Sequence, residues 1–182
     1  MKARKLTIFA ALLIGASILT GLGRGVRISA QPAQEPSSQS NDQSVGAIAQ
    51  SNVSLQQANL AIESALAKSE ELNVKMDIAV VDAGGNLKAF ARMDEACLGC
   101  VDIAIRKART ARMFDRATGE LGELSQPGSP LYGIEHSNDG LVTFPGGVLL
   151  TDDGGKIIGA IGVSGDTVDN DDTVARAGAD SL

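Results

Sequence analysis

Aromatic side chains are scarce: the 182 residues include no Trp, one Tyr (Tyr132) and four Phe. A platform for stacking nucleic-acid bases, or an aromatic cleft for sugars, is not expected from such a chain. Positive charge is scarce too, once the first residues are set aside. Lys2, Arg4 and Lys5 precede the uncharged run from Leu6 to Leu22, the basic and apolar regions of an export signal. Small residues around Ala30 place cleavage there and make residues 1–30 a signal peptide. Arg24 and Arg27 are unusual near a cleavage site, so a retained membrane anchor is the alternative, the run being about long enough to span a bilayer. The first 30 residues hold five of the 16 Lys and Arg and none of the 22 Asp and Glu, so the rest carries 11 against 22, a net charge of −11. Nucleic acid and anionic membranes both need a basic footprint, and neither is expected as a partner. A periplasmic or secreted location follows from the signal.

Residues 31–51 are rich in Gln, Ser and Pro without apolar periodicity and read as a flexible linker to a domain at 52–182. Ser54 with Gln57 forms a capping-box pattern ahead of a helix whose apolar stripe is Leu55, Ala58, Ile62, Ala65, Leu66 and Leu72. Ile78–Val81 and Leu87–Ala91 flank "DAGGN" and predict a hairpin. A second helix is expected over about Cys97–Phe114, with Cys97, Cys100, Val101, Ala104, Ile105, Ala108 and Ala111 on its apolar side. Asp102, Arg106, Arg109 and Arg116 lie opposite, as a solvated face. From Leu121 to Asn138 the prolines and glycines predict a long irregular loop. Strands follow at about Leu141–Phe144, Val148–Leu150 and Lys156–Val163, then a helix from about Asp172. The expected fold is α+β, one five-stranded antiparallel sheet flanked by helices.

Gly159, Gly162 and Gly165 stand three apart in "IIGAIGVSGDTVDNDD". A dinucleotide fingerprint would need a further strand and acidic residue beyond a helix, and a Walker loop a Lys-Ser or Lys-Thr. Neither is present, so these glycines are expected where a helix or another chain approaches a strand closely.

The stretches "VVDAGGNLKAFARMD", "RKARTARMF", "FPGGVLLTDDGGKIIGAIGVSGDTVDND" and "VARAGA" together resemble the GlcG/HbpS-like family of small heme-binding proteins. The family is often labelled a haem-degrading domain and also forms the C-terminal part of PduO-type proteins. The resemblance covers about Ser54 to Leu182. It implies a five-stranded antiparallel sheet flanked by helices, homo-oligomeric assembly, and heme or a related tetrapyrrole as ligand.

His136, the only histidine, is the candidate iron ligand, since a neutral imidazole suits heme iron; a surface or hydrogen-bonding role is the alternative. Tyr132 is a candidate ligand or propionate partner, or a packing residue. Arg92 and Lys107 occupy family-like "RMD" and "RKA" positions and could meet heme propionates. Otherwise Arg92 would pair with Asp94 or Glu95, and Lys107 would snorkel. Met93 and Met113 read as core residues rather than soft ligands. Cys97 and Cys100, the only cysteines, read as a structural disulfide, a redox-active pair at a helix start, or a metal site, and the family resemblance does not account for them. The acids Asp166, Asp169, Asp171 and Asp172 lack an EF-hand layout; Asp171 or Asp172 is the expected helix cap. Asp82, Asp94 and Glu135 are acid–base candidates only by lying near turns.

Three functions follow. The first is an exported heme-binding protein that sequesters, carries or senses heme. The second is a small enzyme acting on heme or a small metabolite by degradation, lyase or isomerase chemistry. The third is a periplasmic redox module using Cys97 and Cys100.

Overall fold

The computed structural model describes residues 50–182. The signal-peptide and membrane-anchor assignments, and nearly all of the linker, lie outside the described residues. Among those described, no helix is long and apolar enough to cross a membrane.

The chain enters along the sheet: the Val53 N–H donates to the Ile158 carbonyl, and Asn52 Oδ1 accepts from the Ala83 N–H. Helix α1 (Leu55–Glu71) then starts on the expected box, Ser54 accepting from the Gln57 amide and Gln57 from the Ser54 amide. Strands β1 (Asp77–Asp82) and β2 (Leu87–Arg92) form the expected hairpin. Helix α2 (Cys100–Phe114) begins three residues later than expected, and Asp115 ends it in the left-handed region with φ 48°.

Strands β3 (Gly147–Thr151) and β4 (Ile157–Ser164) form a second hairpin. Both hairpin turns use one device: Asp82 Oδ1 accepts from the Gly84 and Asn86 amides, and Asp152 Oδ1 from those of Gly154 and Lys156. Gly85 and Gly155 supply the positive φ such turns need, 77° and 76°. Asp82 is thereby a turn former rather than an acid–base group.

The sheet has four strands, in the order β2-β1-β4-β3 and antiparallel throughout. The five-stranded expectation is corrected at Leu141–Phe144, which pairs with no strand. Its backbone is used elsewhere: the Leu141 N–H donates to the Glu135 carbonyl and the Val142 N–H to Thr110 Oγ1, and Pro145 follows. The expected loop from Leu121 is corrected at its start, where helix α3 (Thr118–Leu124) runs. Helix α4 (Val168–Ala179) starts earlier than expected, because Thr167 rather than Asp171 or Asp172 is its cap.

Two layers of helix cover the sheet. Ile78, Val80, Ile161 and Val163 pack toward α1 and α4. Ala79, Val81 and Ala160 face Ala104, Ala108 and Ala111 of α2. The second interface is built from small side chains, so α2 lies close to the strands. Gly162 allows that approach: a Cβ there would overlap the Ala104 carbonyl oxygen and the Ala108 amide nitrogen. Gly159 and Gly165 are also tightly packed, but against Val81 and Val53 and against Lys75 and Met76 respectively, so among the three only Gly162 meets a helix as expected.

Gly162→Val is therefore expected to lower stability by about 1–3 kcal/mol or more, since the clash is with backbone that cannot yield. Gly99→Ala, whose Cβ meets open space, is expected to change it by less than about 0.5 kcal/mol. Urea unfolding followed by circular dichroism separates the two.

Candidate functional site

The segment between α3 and β3 carries Tyr132 and His136, and its course is set by hydrogen bonds to helices. Leu131 N–H donates to the Leu124 carbonyl, and a short 3-10 turn, Ile134–His136, follows Gly133 at φ 82°. Asn138 and Asp139 both take positive φ, 51° and 60°, turning the chain back. Arg106 of α2 clamps this bend, its Nη1 donating to the carbonyls of Asp139 and Gly140. Thr143 Oγ1 donates to Glu135 Oε1 at 3.1 Å. Hydrogen bonds from its own amide, Ser125 and Thr143 hold the Glu135 carboxyl below its ordinary range. His136 is exposed, and Tyr132 is 69% exposed. The two residues chosen from sequence thus share one tethered, solvent-facing loop.

Beside the loop lies a cleft of about 60 Å³ between Arg106, Arg109, Thr110 and Met113 of α2 and residues 138–141. Arg109 also lines a shallow groove of about 250 Å³ with Gly85, Asn86, Leu87 and Ile105. Together they form a strip along α2. Met113, expected in the core, is 49% exposed there, and Leu87 is 50% exposed. Arg106 is held by Asp102 at 2.6 Å, whereas Arg109 has no ion pair or hydrogen-bonding side-chain partner among the described residues. Sequence reasoning left Arg109 on a solvated face. The position four residues before Met113, on the same side of the helix, was the available signal.

Arg92 and Lys107 lie away from this strip. Arg92 pairs neither with Asp94 nor Glu95: its Nη2 donates to the Ala96 carbonyl at 2.7 Å and its Nε lies 3.7 Å from Asp77 Oδ1. Lys107 does not snorkel. It is fully buried, its Nζ donating to Asp171 Oδ2 at 2.6 Å and to the Val163 carbonyl at 2.9 Å. The Phe144 ring centroid lies 4.8 Å from the same nitrogen. Burial pushes Lys107 down and Asp171 up, and their mutual contact opposes both shifts. With its ammonium committed inside the fold, Lys107 is a structural residue here. Asp171 changes role with it, from expected cap to buried partner.

A second constellation sits at the start of α2. Cys97 and Cys100 are joined in a disulfide. Asp77, fully buried on β1, brings a carboxylate oxygen within 4.8 Å of both sulfurs. Neither oxygen has a hydrogen-bond partner among the described residues. Burial pushes this carboxyl above its ordinary range, against the pull of Arg92. Sequence reasoning missed Asp77, although strand alternation puts it on the face of Ala79 and Val81, beneath α2.

Comparison with known proteins is consistent with this architecture. A family model described as "Haem degrading protein HbpS-like" matches residues 53–180. The 15.0 kDa protein of the dhaT-dhaS intergenic region of Citrobacter freundii is 38% identical over 128 residues, covering 70% of this chain and 90% of that protein. The crystal structure of Klebsiella pneumoniae protein ORFY superposes with a TM-score of 0.72 at 34% identity, covering 74% of this chain and 93% of that one. A PduOC:heme complex superposes with a TM-score of 0.68 at 34% identity, covering 72% and 95%.

Lys107→Ala should cost about 3–5 kcal/mol in urea unfolding, because it strands the Asp171 carboxylate away from water. The double change Lys107→Met with Asp171→Leu should recover most of that loss. For Asp77 the raised folded-state value gives the opposite of the usual acid dependence. The folded protein holds this proton more tightly than the unfolded chain, so its contribution is full at low pH and fades as pH rises through the raised value. Wild type should therefore gain stability relative to Asp77→Asn between neutral pH and about pH 4, measured by urea unfolding across that range.

Proposed function

The chain belongs to the HbpS-like family, and on that premise we propose that it is an exported protein that binds heme to sequester, carry or sense it. The solved PduOC relative is a heme complex, which supports the ligand class. Export rests on the basic start and apolar run of residues 1–22.

The residues along α2 would offer a flat, carboxylate-bearing macrocycle a surface strip with one cation free among the described residues, not an enclosed pocket. Heme, when bound, supplies an iron that accepts an imidazole, and propionates that need cations. His136 would hold the iron, and Tyr132 on the same loop would serve as a second ligand or propionate partner. Arg109, which has no carboxylate of its own, would receive a propionate. Met113 and Leu87 would lie against the ring. The observation that carries this reading is the unpaired Arg109 guanidinium beside exposed apolar side chains and the tethered histidine loop.

The cleft itself, at about 60 Å³, is well below the roughly 300–1,000 Å³ of an ordinary ligand pocket. A macrocycle on this strip would keep one face in water unless covered. A second copy of the chain is the natural cover, in line with the homo-oligomer expected from the resemblance. Arg92 is left out of the set because Asp77 and Ala96 already engage it.

Titration of the chain from residue 31 with hemin should give a Soret band at micromolar concentration. His136→Ala should change the band and weaken binding. Arg109→Ala should leave the band in place but loosen binding about tenfold, the scale of one charge-assisted hydrogen bond. No band at micromolar hemin would overturn the reading. Unaltered spectra and affinities in both variants would move the site off this strip. Mass spectrometry of what copurifies identifies the ligand directly.

A further inference from the structure

β1 alternates, so Asp77 points to the same side as Ala79 and Val81, toward α2. That side of the sheet at its Asp77 end lies under the first turn of α2, which begins at Cys100. The result is a Cys-x-x-Cys pair at a helix start with a buried carboxylate reaching within 4.8 Å of both sulfurs. Cys97 is exposed and Cys100 is half-buried. Leu98 between them is 78% exposed.

A carboxylate placed only to stabilise the fold would have its oxygens satisfied. Both oxygens of Asp77 lack hydrogen-bond donors, and its side chain is fully shielded. The charged and titratable groups that face it are the Arg92 guanidinium from β2, 3.7 Å away, and the two sulfurs. An unsatisfied buried carboxyl costs free energy, and here it is aimed at the one bond in the molecule that two electrons can cleave. Its burial shifts this carboxyl toward the protonated form, against the pull of Arg92.

We propose that Cys97–Cys100 is a redox-active disulfide that exchanges with an external dithiol, and that Asp77 carries the proton to and from Cys100. This is independent of heme binding. In the reductive direction a thiolate of the external dithiol attacks the exposed Cys97 Sγ. The Cys97–Cys100 bond breaks, and its electron pair leaves on Cys100, which takes the proton held by Asp77. The second thiol of the reductant, deprotonated by solvent, then attacks its own sulfur in the mixed disulfide. Cys97 is released as a thiolate and takes a proton from water. The external dithiol is oxidised to a disulfide, the protein disulfide is reduced to two thiols, Asp77 is left as the carboxylate, and the balance of the dithiol's protons goes to solvent. In the oxidative direction the Asp77 carboxylate accepts the Cys100 proton as that sulfur attacks the mixed disulfide. The helix start stabilises the thiolates through which both directions pass.

The test uses the chain from residue 31, with dithiothreitol as the external dithiol. Reduction is followed by acid quenching, thiol alkylation and mass measurement across pH 6 to about pH 9, spanning ordinary thiol titration. The expected result is complete reduction by excess dithiothreitol in native buffer, with Asp77→Asn about tenfold slower near neutral pH and its pH profile displaced. Equal rates and profiles for wild type and Asp77→Asn would overturn the role of Asp77. A bond that resists excess dithiothreitol until the protein unfolds would overturn the redox assignment altogether. Should Asp77→Asn fail to fold, infrared difference spectra of the wild type decide the matter. The protonated-carboxyl band should change between the oxidised and reduced protein and be absent from the Asp77→Glu difference at the same frequency. An identical carboxyl region in both redox states would sink the proposal.

Discussion

Lys107 and Asp171 meet 2.6 Å apart with both side chains out of water, and the contact ties α2 to α4 across the end of the sheet. Each charge occupies a core position of its helix. Ala104, Lys107, Ala108 and Ala111 form the buried stripe of α2, and Asp171, Val174, Ala175 and Gly178 that of α4. These helices cover opposite faces of the sheet, so the pair must pass around the strand ends. Gly146 makes the passage: at φ 116° it leaves room where a Cβ would lie 2.7 Å from the Lys107 nitrogen and 2.9 Å from the Asp171 Cβ. The value of such a pair lies less in net stability, which apolar residues could match, than in selectivity. Sliding either helix by one residue leaves a buried charge without its partner, at a cost of several kcal/mol. The pair therefore acts as a register lock for α2.

A locked α2 explains why two different chemistries can be held by one helix. Its alanine face sits against Gly162 and Ala160, close enough that the helix has no slack toward the sheet. The first turn then brings Cys100 above Asp77. Toward the other end, Arg106 and Thr110 hold the returning loop through Asp139, Gly140 and Val142. The positions of His136 and of the disulfide are both consequences of where α2 lies, although they belong to separate surfaces.

Much of this was legible in the sequence, and the failures have physical causes. Both hairpins, the Ser54–Gln57 box and the helix-facing Gly162 are local or patterned features, and they appear where expected. Leu141–Phe144 has the composition of a strand, yet its amides are taken by Glu135 and Thr110, partners distant or irregular enough to leave no periodic trace. Lys107 and Asp171 look like surface charges, because a 64-residue separation hides that each is the other's partner. The candidate site divides the same way. His136 and Tyr132 are legible because a single histidine in a loop is conspicuous. Asp77 is not, because its meaning depends on Cys97 and Cys100 coming to lie over it.

Charge distribution gives the α2 strip its character. The chain beyond residue 30 has 11 Lys and Arg against 22 Asp and Glu, and five of those 11 fall between Arg106 and Arg116. One of the five, Lys107, is spent inside the fold, and two, Arg106 and Arg112, have acidic partners on or next to their own helix, Asp102 and Asp115. Arg109 and Arg116 have none among the described residues. A free guanidinium on a strongly acidic molecule sits in a field that favours cations, so a diffusing dicarboxylate is repelled by most of the surface and accepted at few places. Around Arg109 the neighbouring residues include the apolar Met113, Ile105 and Leu87, with Arg106 and Asp139 also lining the cleft. An unpaired cation with apolar side chains beside it favours anions that carry a large apolar body over small hydrophilic ones, which cannot use those side chains. That selection, more than the presence of one histidine, is what makes a carboxylate-bearing macrocycle the ligand class this surface suits.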